Sequence, residues 1–323
     1  MNYTHLYKEK YDQLENFKDA TSKKYDLFIS AYNESDRVKS VFENIEANNK
    51  HWLILPEYQF ENIELSELEQ PVFDFTNKNE NDEDEIILEY YENNKELIHN
   101  SKIAIDITGL LRPYIIYILR LLHSKGITQV DFIYSEPFEY KNKEETEFSL
   151  DYFRIREIKG CLGSHNPETN QDLLFLGSGY DFNRMIAIAK EKKEAKKVQV
   201  LGFPSLQADM FQQNIIKSCK AEEDAFSGEF DLESENVILA PANDPFVTAK
   251  LLSDYLKKNN SFTNLYLCPL STKAQTLGIG LFYIIECLNL PASIIFPFCK
   301  GYSRETSKGL SKIWIYTIEF PEN

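Results

Sequence analysis

The chain has few cysteines, no secretory leader pattern and no long apolar run. Its five cysteines are odd in number, widely spaced and without a Cys-x-x-Cys pair. This argues against a disulfide framework and against a zinc site, and it favours reduced thiols. Neither an apolar signal core nor a run of about 18 uncharged apolar residues is present. We therefore expect no targeting segment, no membrane span and a cytoplasmic location.

Positive charge is also scarce. The formal net charge of the 323 residues is −16 and the sequence pI is about 4.9. Binding of duplex nucleic acid over the general surface is not expected, because such binding depends on neutralising phosphates. The acid is concentrated between Glu57 and Glu96, where fourteen Asp and Glu face two Lys. We interpret that stretch as one solvated acidic segment.

Short apolar runs alternate with amphipathic stretches along the chain. Runs such as Tyr25–Ile29 and Lys102–Ile107 predict buried strands, and stretches such as Asp36–Asn48 predict helices that bury one face. This alternation predicts an α/β fold with mostly parallel sheets and helices on both faces. Residues 1–24 are predicted to form a polar lead-in helix. The last apolar run, Ile313–Phe320, alternates as an antiparallel edge strand does, and we expect it in the second half.

Two strand–loop–helix segments of the first half have counterparts in the second. A shift of 147 positions places Arg37 on Arg184, and a shift of 163 places Thr108 on Ser271. We therefore predict an internal duplication, with two parallel-sheet halves related by a pseudo-twofold axis. The predicted halves are residues 1–160, which include the lead-in helix and the acidic segment, and residues 161–323.

Both pairs of loops follow a predicted strand, where open parallel sheets bind ligands and where helix N-termini expose N–H groups. An arginine in a first helical turn opposes the helix dipole. Arg37 and Arg184 therefore need a reason, either a phosphate or carboxylate ligand or a salt bridge to a carboxylate such as Asp36 or Asp181. Lys273, beside a helix N-terminus, is typical of phosphate binding.

Sixteen residues of these loops are the candidate ligand-binding set. In the first half they are Ser30, Tyr32, Asn33, Arg37, Asp106, Thr108, Gly109 and Arg112. In the second half they are Ser178, Tyr180, Asp181, Arg184, Ser271, Thr272, Lys273 and Gln275. Tyr32 and Tyr180 are candidates for stacking on a base, with packing as the alternative.

Signals for catalysis are few. Neither G-x-G-x-x-G nor a P-loop motif occurs, so a dinucleotide fingerprint and a P-loop NTPase are both unsupported. Asp106, Glu57 and His165 are weak candidates for acid–base groups. Asp106 and His165 also have ordinary alternatives, because a buried acid usually caps a turn and a loop histidine is usually without a special role. We expect no metal and no cofactor, and a nucleotide would be a ligand.

The loops and turns together resemble a known family. Ser30–Arg37 and Gly177–Arg184, followed by Thr108-Gly109 and Ser271-Thr272-Lys273, are similar to the ligand-contacting segments of CARF domains. Two such units in one chain resemble the SAVED arrangement. The resemblance implies two Rossmann-like halves that bind a cyclic oligonucleotide in prokaryotic defence. Leu110 stands where the first copy would need a lysine, so the implied pocket is asymmetric.

The resemblance implies a nucleotide-signal sensor or regulatory subunit of an antiviral defence or stress system. It would act through a separate effector protein. Assembly of the chain into a homo-oligomer is left open. Two alternatives stay open. One is an enzyme that uses the same crevice, either a cyclic-nucleotide phosphodiesterase or a glycosidase that cleaves NAD or a nucleotide. A weaker resemblance bears on this alternative: Tyr25–Ser30 is similar to the first strand of TIR domains, some of which cleave NAD. The other is a scaffold subunit whose acidic segment docks a basic partner.

Overall fold

In the computed structural model the chain forms two compact α/β units. The N-terminal unit comprises residues 5–114, 121–151 and 299–323, and the C-terminal unit comprises residues 1–4, 115–120 and 152–298. The structure describes residues 3, 7–12, 17, 23–66, 68, 71–140, 152–179, 181–207, 210–225, 232, 234–305 and 307–320.

A seven-stranded sheet forms the centre of the N-terminal unit. Its strands are β1 (Tyr7–Tyr11), β2 (Tyr25–Ala31), β3 (Ala47–Ile54), β4 (Val72–Asp74), β5 (Ile103–Asp106), β6 (Gln129–Glu136) and β15 (Lys312–Glu319). Their order is β1-β15-β6-β5-β2-β3-β4. The five neighbouring strands β6, β5, β2, β3 and β4 pair in parallel. Strand β15 is antiparallel to both of its neighbours, β6 and β1.

Helices connect the successive parallel strands of this unit. They are α1 (Asp36–Asn44), a 3-10 turn (Pro56–Tyr58), α2 (Asn62–Leu65), α3 (Glu83–His99) and α4 (Arg112–Ser124), whose middle turn belongs to the C-terminal unit. Two short strands, β7 (Glu139–Tyr140) and β14 (Ser307–Lys308), pair with each other.

A six-stranded sheet forms the centre of the C-terminal unit. Its strands are β8 (Tyr152–Glu157), β9 (Leu173–Gly177), β10 (Lys196–Gly202), β11 (Val237–Ala240), β12 (Leu265–Cys268) and β13 (Ala292–Cys299). Their order is β11-β10-β9-β12-β13-β8, and the first five pair in parallel. The helices are α5 (Phe182–Glu191), α6 (Met210–Ala225), α7 (Pro245–Lys258) and α8 (Lys273–Phe282), which continues into a π-helical turn (Tyr283–Cys287).

The two sheets share one order of five parallel strands. The series β4-β3-β2-β5-β6 corresponds, strand for strand, to β11-β10-β9-β12-β13. The predicted α/β class with mostly parallel sheets is confirmed. The internal duplication stays a prediction, to which the common strand order lends support.

Burial explains why these runs become strands and helices. In β2 every residue except Asp26 is buried, as expected when helices cover both faces of a parallel sheet. Helix α1 instead buries one face, through Val38, Val41 and Phe42 together with Arg37. The apolar runs in the sequence therefore predict the central strands well.

The chain ends depart from the predicted structure. Tyr7–Tyr11 is a strand, where a helix was predicted, because its residues pair with β15 in antiparallel register. β15 itself lies in the N-terminal sheet and not with the second half, and it is interior because β1 pairs with its outer side. The predicted boundary at residue 160 thus differs from the observed units, since the chain after Phe298 returns to the N-terminal unit.

The acidic segment is only partly a solvated face. Helix α3 begins at Glu83 as predicted, but the Glu83 side chain is fully buried and Glu57 is 1% exposed. Most of the other acids of α3 face solvent, for example Glu85 and Glu92. Two carboxyl groups in this segment therefore belong to the interior of the N-terminal unit.

Candidate functional site

Each sheet has one point at which the strand order reverses. The chain leaves β2 towards β3 on one side, and it leaves β5 towards β6 on the other. The switch point of the N-terminal sheet therefore lies between β2 and β5, and that of the C-terminal sheet lies between β9 and β12. Open parallel sheets bind ligands outside the carboxyl ends of the strands at such points. The loops singled out by the sequence are the ones that flank these two points.

The structure brings the predicted ligand-binding residues together within each unit. Ser30, Tyr32, Asn33 and Arg37 follow β2, and Asp106, Thr108, Gly109 and Arg112 follow β5. Ser178, Asp181 and Arg184 follow β9, and Ser271, Thr272, Lys273 and Gln275 follow β12. Tyr180 lies outside the described residues.

Glycines allow the two loops of each switch point to touch. A Cβ on Gly109 would lie 2.0 Å from the carbonyl oxygen of Ala31, which belongs to β2. A Cβ on Gly179 would lie 2.7 Å from the carbonyl oxygen of Leu270, which follows β12. Both glycines are therefore required by close approach of backbone to backbone, and not by approach of a ligand.

A buried polar network joins the strand ends of the N-terminal sheet. Ser30 Oγ donates to Asp106 Oδ2 at 3.0 Å, and the Thr108 backbone N–H donates to Asp106 Oδ1 at 2.8 Å. Thr108 Oγ1 lies 3.0 Å from Ser135 Oγ. All four residues are at most 1% exposed. Asp106 therefore caps its turn, the ordinary role for a buried acid at a strand end.

The two symmetric arginines point into the protein. Arg37 Nη1 donates to the Ser135 carbonyl oxygen at 2.5 Å. Arg184 Nη2 donates to the Pro297 carbonyl oxygen at 2.6 Å, and its Nη1 forms an ion pair with Asp181 at 3.0 Å. The arginines are 7% and 3% exposed. The salt-bridge interpretation thus holds for Arg184, while Arg37 bonds a backbone carbonyl.

Tyr58 is a site residue that sequence reasoning missed. Its hydroxyl donates to the Gly109 carbonyl oxygen at 2.7 Å and accepts a 3.4 Å bond from Asn33 Nδ2. Burial raises the pKa of Tyr58 to about 12, against the opposing effects of Asn33 and of the charges on Arg37 and Arg112. Tyr58 ends the 3-10 turn that follows β3, and that position was the available signal. It ties the β3 loop to both loops of the switch point.

Tyr32 packs against neighbouring aromatic rings. Its ring lies edge-on to Trp52 at 5.4 Å and tilted against Phe60 at 5.1 Å, and the ammonium group of Lys39 lies 5.7 Å from its centre. These contacts match the packing alternative for Tyr32.

Glu57 is a buried carboxyl group of the N-terminal unit, and its pKa is raised. It accepts hydrogen bonds from the Asn81 backbone N–H at 2.9 Å and from the Tyr114 hydroxyl at 3.0 and 3.2 Å. Burial raises its pKa to about 7; those bonds act in the opposite sense, and the negative charge of Glu83 adds to the increase. Glu57 is therefore a carboxyl group that takes up a proton near neutral pH.

His165 lies away from the carboxyl ends of its own sheet. Its Nε2 is 2.6 Å from Ser293 Oγ, at the start of β13, and its ring stacks on Tyr266 at 4.8 Å. Ser293 is fully buried. His165 therefore packs at the amino ends of the strands, where it is not beside the predicted crevice.

The switch point of the C-terminal sheet is held by Thr272 and Gln275. Thr272 Oγ1 accepts the Gln275 backbone N–H at 3.2 Å and donates to the Ala242 carbonyl oxygen. Gln275 Nε2 donates to the Ala240 carbonyl oxygen at 3.1 Å. Lys273, the first residue of α8, is half-buried. Thr272 and Lys273 thus keep partial access to solvent at the N-terminus of a ten-residue helix.

The serines of this switch point are buried. Ser178 is 2% exposed and donates to Gln199 Oε1 at 2.9 Å. Ser271 is also 2% exposed, and its Oγ would lie 2.8 Å from a Cβ on Gly177. Both hydroxyls therefore lie beneath the loops, whereas Asp181 and Lys273 are half-buried.

The C-terminal unit has a cavity of about 650 Å³ at the opposite, amino ends of β9 and β10. Lys193, Lys196 and Lys258 line it. Lys258 ends α7, where the helix dipole favours a cation. The helix dipole accounts for Lys258 without an anionic ligand. We therefore assign no function to the cavity.

Comparisons with known proteins give no relative for this chain. No protein-family model, no curated protein and no solved structure matches it. The CARF and SAVED resemblance therefore rests on the sequence motifs alone. Within the described residues no helix has both the length and the apolar character needed to cross a bilayer. The same part of the chain holds no cluster of three His, Cys, Asp or Glu arranged for a metal ion.

We expect Gly109→Ala to destabilise the N-terminal unit by about 3 kcal/mol, because overpacking against backbone forces the chain to move. Gly126→Ala is the matched control. Gly126 has a φ of +74°, but a Cβ added there would have no atom within 4 Å, so it should lose only about 1 kcal/mol through left-handed strain. Urea unfolding measures both losses, and equal losses would contradict the close approach.

We expect Glu57→Gln to alter how stability depends on pH. The pKa of Glu57 is raised when folded, so the wild type loses free energy of unfolding as pH rises from about 4.5 to about 7. The variant should lack a loss of about 3 kcal/mol over that window. Chemical unfolding at a series of pH values tests this, with the exposed Glu85→Gln as control. Parallel curves for Glu57→Gln and wild type would count against the assignment.

Proposed function

We propose that the protein binds a phosphorylated nucleotide signal and acts as a sensor or regulatory subunit through a separate effector. The supporting observation is the position of Lys273 and Thr272. They stand partly accessible at the N-terminus of α8, beside the switch point of the C-terminal sheet. A helix N-terminus with a lysine is suited to a phosphate.

The proposed phosphate contacts differ from those expected from the sequence. Arg37 and Arg184 bond carbonyl oxygens inside their units, so they support the loops and are not assigned to the ligand. Lys273 and the first amides of α8 are assigned to a phosphate instead. We assign Asp181, which is half-buried on the facing loop and pairs with Arg184 through Oδ2, to accept bonds from a ribose or base. The proposal thus has one ligand-binding edge, in the C-terminal unit.

The charge of the N-terminal switch point gives further support to this asymmetry. Leu110 occupies the position equivalent to Lys273 and is fully buried. Glu34, on the loop after β2, and Asp36, the first residue of α1, add negative charge there, and Glu34 is partly offset by Arg304. These two carboxylates disfavour a phosphate at this edge. The observations favour neither hydrolase alternative. Asp106 is occupied as a cap and His165 lies at the amino ends of the other sheet. Glu57 is 1% exposed, and its carboxyl oxygens accept bonds from Asn81 and Tyr114.

A defence or stress role is part of the same proposal. It is the role that the motif resemblance implies for a chain with two such units. A sensor returns its ligand unchanged, whereas a phosphodiesterase or glycosidase converts it. Chromatography of a labelled nucleotide after incubation with the protein separates the two.

Thermal unfolding in the presence of mono-, di- and cyclic nucleotides tests binding. A ligand at a hundred times its Kd should add about 2.7 kcal/mol to the free energy of unfolding. For the nucleotide that binds best, Lys273→Met should weaken affinity about 10- to 100-fold, since a hydrogen bond to a charged group contributes about 1.5–3 kcal/mol. Calorimetry gives the two affinities.

Lys250→Met is the matched control, because Lys250 is an exposed lysine on α7 that pairs with Asp254. It should leave the affinity unchanged. Nucleotide binding that survives Lys273→Met undiminished would refute the site. Failure of every nucleotide to stabilise the wild type would refute the function.

A further inference from the structure

A strap, residues 300–305, crosses the carboxyl edge of the N-terminal sheet. It follows β13 along the chain and precedes β14. The Tyr302 backbone N–H donates to the Glu57 carbonyl oxygen at 3.0 Å, and the Arg304 carbonyl oxygen accepts the Glu34 backbone N–H at 3.2 Å. The strap is therefore fastened to the loops after β3 and after β2.

The Arg304 side chain lies in a cradle made by Glu34, Tyr58, Gln59, Phe60 and Glu64. Its Nε donates to the Tyr58 carbonyl oxygen at 2.8 Å, and its Nη2 donates to the Gln59 carbonyl oxygen. Its Nη1 lies 2.7 Å from Glu64 and 3.7 Å from Glu34. The guanidinium carbon is 4.2 Å from the centre of the Phe60 ring.

The cradle has the features of a guanidinium-binding site. It offers carbonyl and carboxylate oxygens to a planar fork of donors, together with an aromatic face. Gln59 has a left-handed backbone, with φ of 53°, which is uncommon for a residue other than glycine. A strained residue thus presents one of the two carbonyl oxygens that the arginine uses.

The contact is accessible to a competitor. The side chains of Arg304, Glu34 and Glu64 are 26%, 43% and 39% exposed. Ion pairs between side chains this exposed are weak, because water and salt screen them. Beneath the strap, by contrast, the bonds that close the loops of the N-terminal switch point are buried, as in the contact of Tyr58 with Gly109. The exposed ion pairs of Arg304 are therefore separate from the buried bonds that close the switch point.

We propose that Arg304 is an autoinhibitory occupant of its cradle, and that an arginine side chain of a partner protein replaces it and releases the strap. The partner segment is basic, in keeping with the carboxylates of the cradle and the net charge of −16. This inference goes beyond nucleotide binding and does not depend on it, since the cradle and Lys273 belong to different units.

The test uses the full chain and N-acetyl-arginine methylamide as the probe. Amide exchange and an NMR titration are compared for wild type, Arg304→Ala and Arg304→Lys. In both variants the Glu34 and Tyr302 amides should exchange at least tenfold faster, while the amides of Phe132 and Ile105 keep their protection. Arg304→Ala should bind the probe at least tenfold more tightly than wild type, because its cradle is empty.

Two controls separate the cradle from general charge. N-acetyl-lysine methylamide should bind Arg304→Ala at least tenfold more weakly than the arginine probe, and adding Glu34→Gln and Glu64→Gln should abolish arginine binding. Lys308→Ala, an exposed cation in β14, should behave as wild type.

Three results would overturn the proposal: equal binding of the probe to wild type and to Arg304→Ala, equal binding of lysine and arginine probes, or parallel loss of protection at Phe132 and Glu34. The last would make Arg304 a structural part of the sheet. If Arg304→Ala does not fold, Arg304→Lys decides by the same amide comparison.

Discussion

The bond from Arg37 to the Ser135 carbonyl oxygen holds the start of α1 against the carboxyl end of β6, two strands away from β2. Arg184 makes the equivalent bond to Pro297 of β13. A cation in a first helical turn opposes the helix dipole, and a buried guanidinium must find acceptors. Each arginine finds a carbonyl acceptor by spanning the switch point of its sheet. The positions of the flanking loops depend on these two bonds.

Because both arginines are buried, other residues determine the chemistry at the carboxyl edge of each sheet. These residues differ between the two units. The N-terminal edge is closed by Tyr58 and the strap, and it carries exposed carboxylates. The C-terminal edge keeps Thr272 and Lys273 half-buried at the start of α8. The same strand order thus supports one edge suited to an anion and one whose acidic groups bind a cation, the chain's own Arg304.

The sequence predicts the parallel strands and the loops of the switch points because both depend on local signals. Apolar runs specify strands buried on two faces, and the order of strands and helices restricts the topology. The position of β15 was missed because its pairing with β6 is long-range. The alternation of β15 shows only that one of its faces differs from the other. Tyr7–Tyr11 was missed for the same reason, since its charged sequence becomes a strand by pairing with β15.

The direction in which a side chain points is the second feature that the sequence does not predict. The shared position of Arg37 and Arg184 is visible in the sequence, but a phosphate and a backbone carbonyl both accept bonds from a guanidinium. The sequence could not distinguish them. Glu57 was expected in a solvated segment, but its carboxyl group accepts bonds from Asn81 and Tyr114, which are 24 and 57 positions away. The cradle of Arg304 also joins residues about 240 positions apart.

We propose that phosphate binding is confined to the C-terminal unit. Hydrogen–deuterium exchange of the wild-type chain, with and without a saturating nucleotide, tests it most directly because it reports each loop separately. We expect slower exchange at the amides of Gly179, Lys273 and Ala274, with no change at Thr108, Gly109 and Leu110. Protection confined to the loops after β2 and β5 would contradict it.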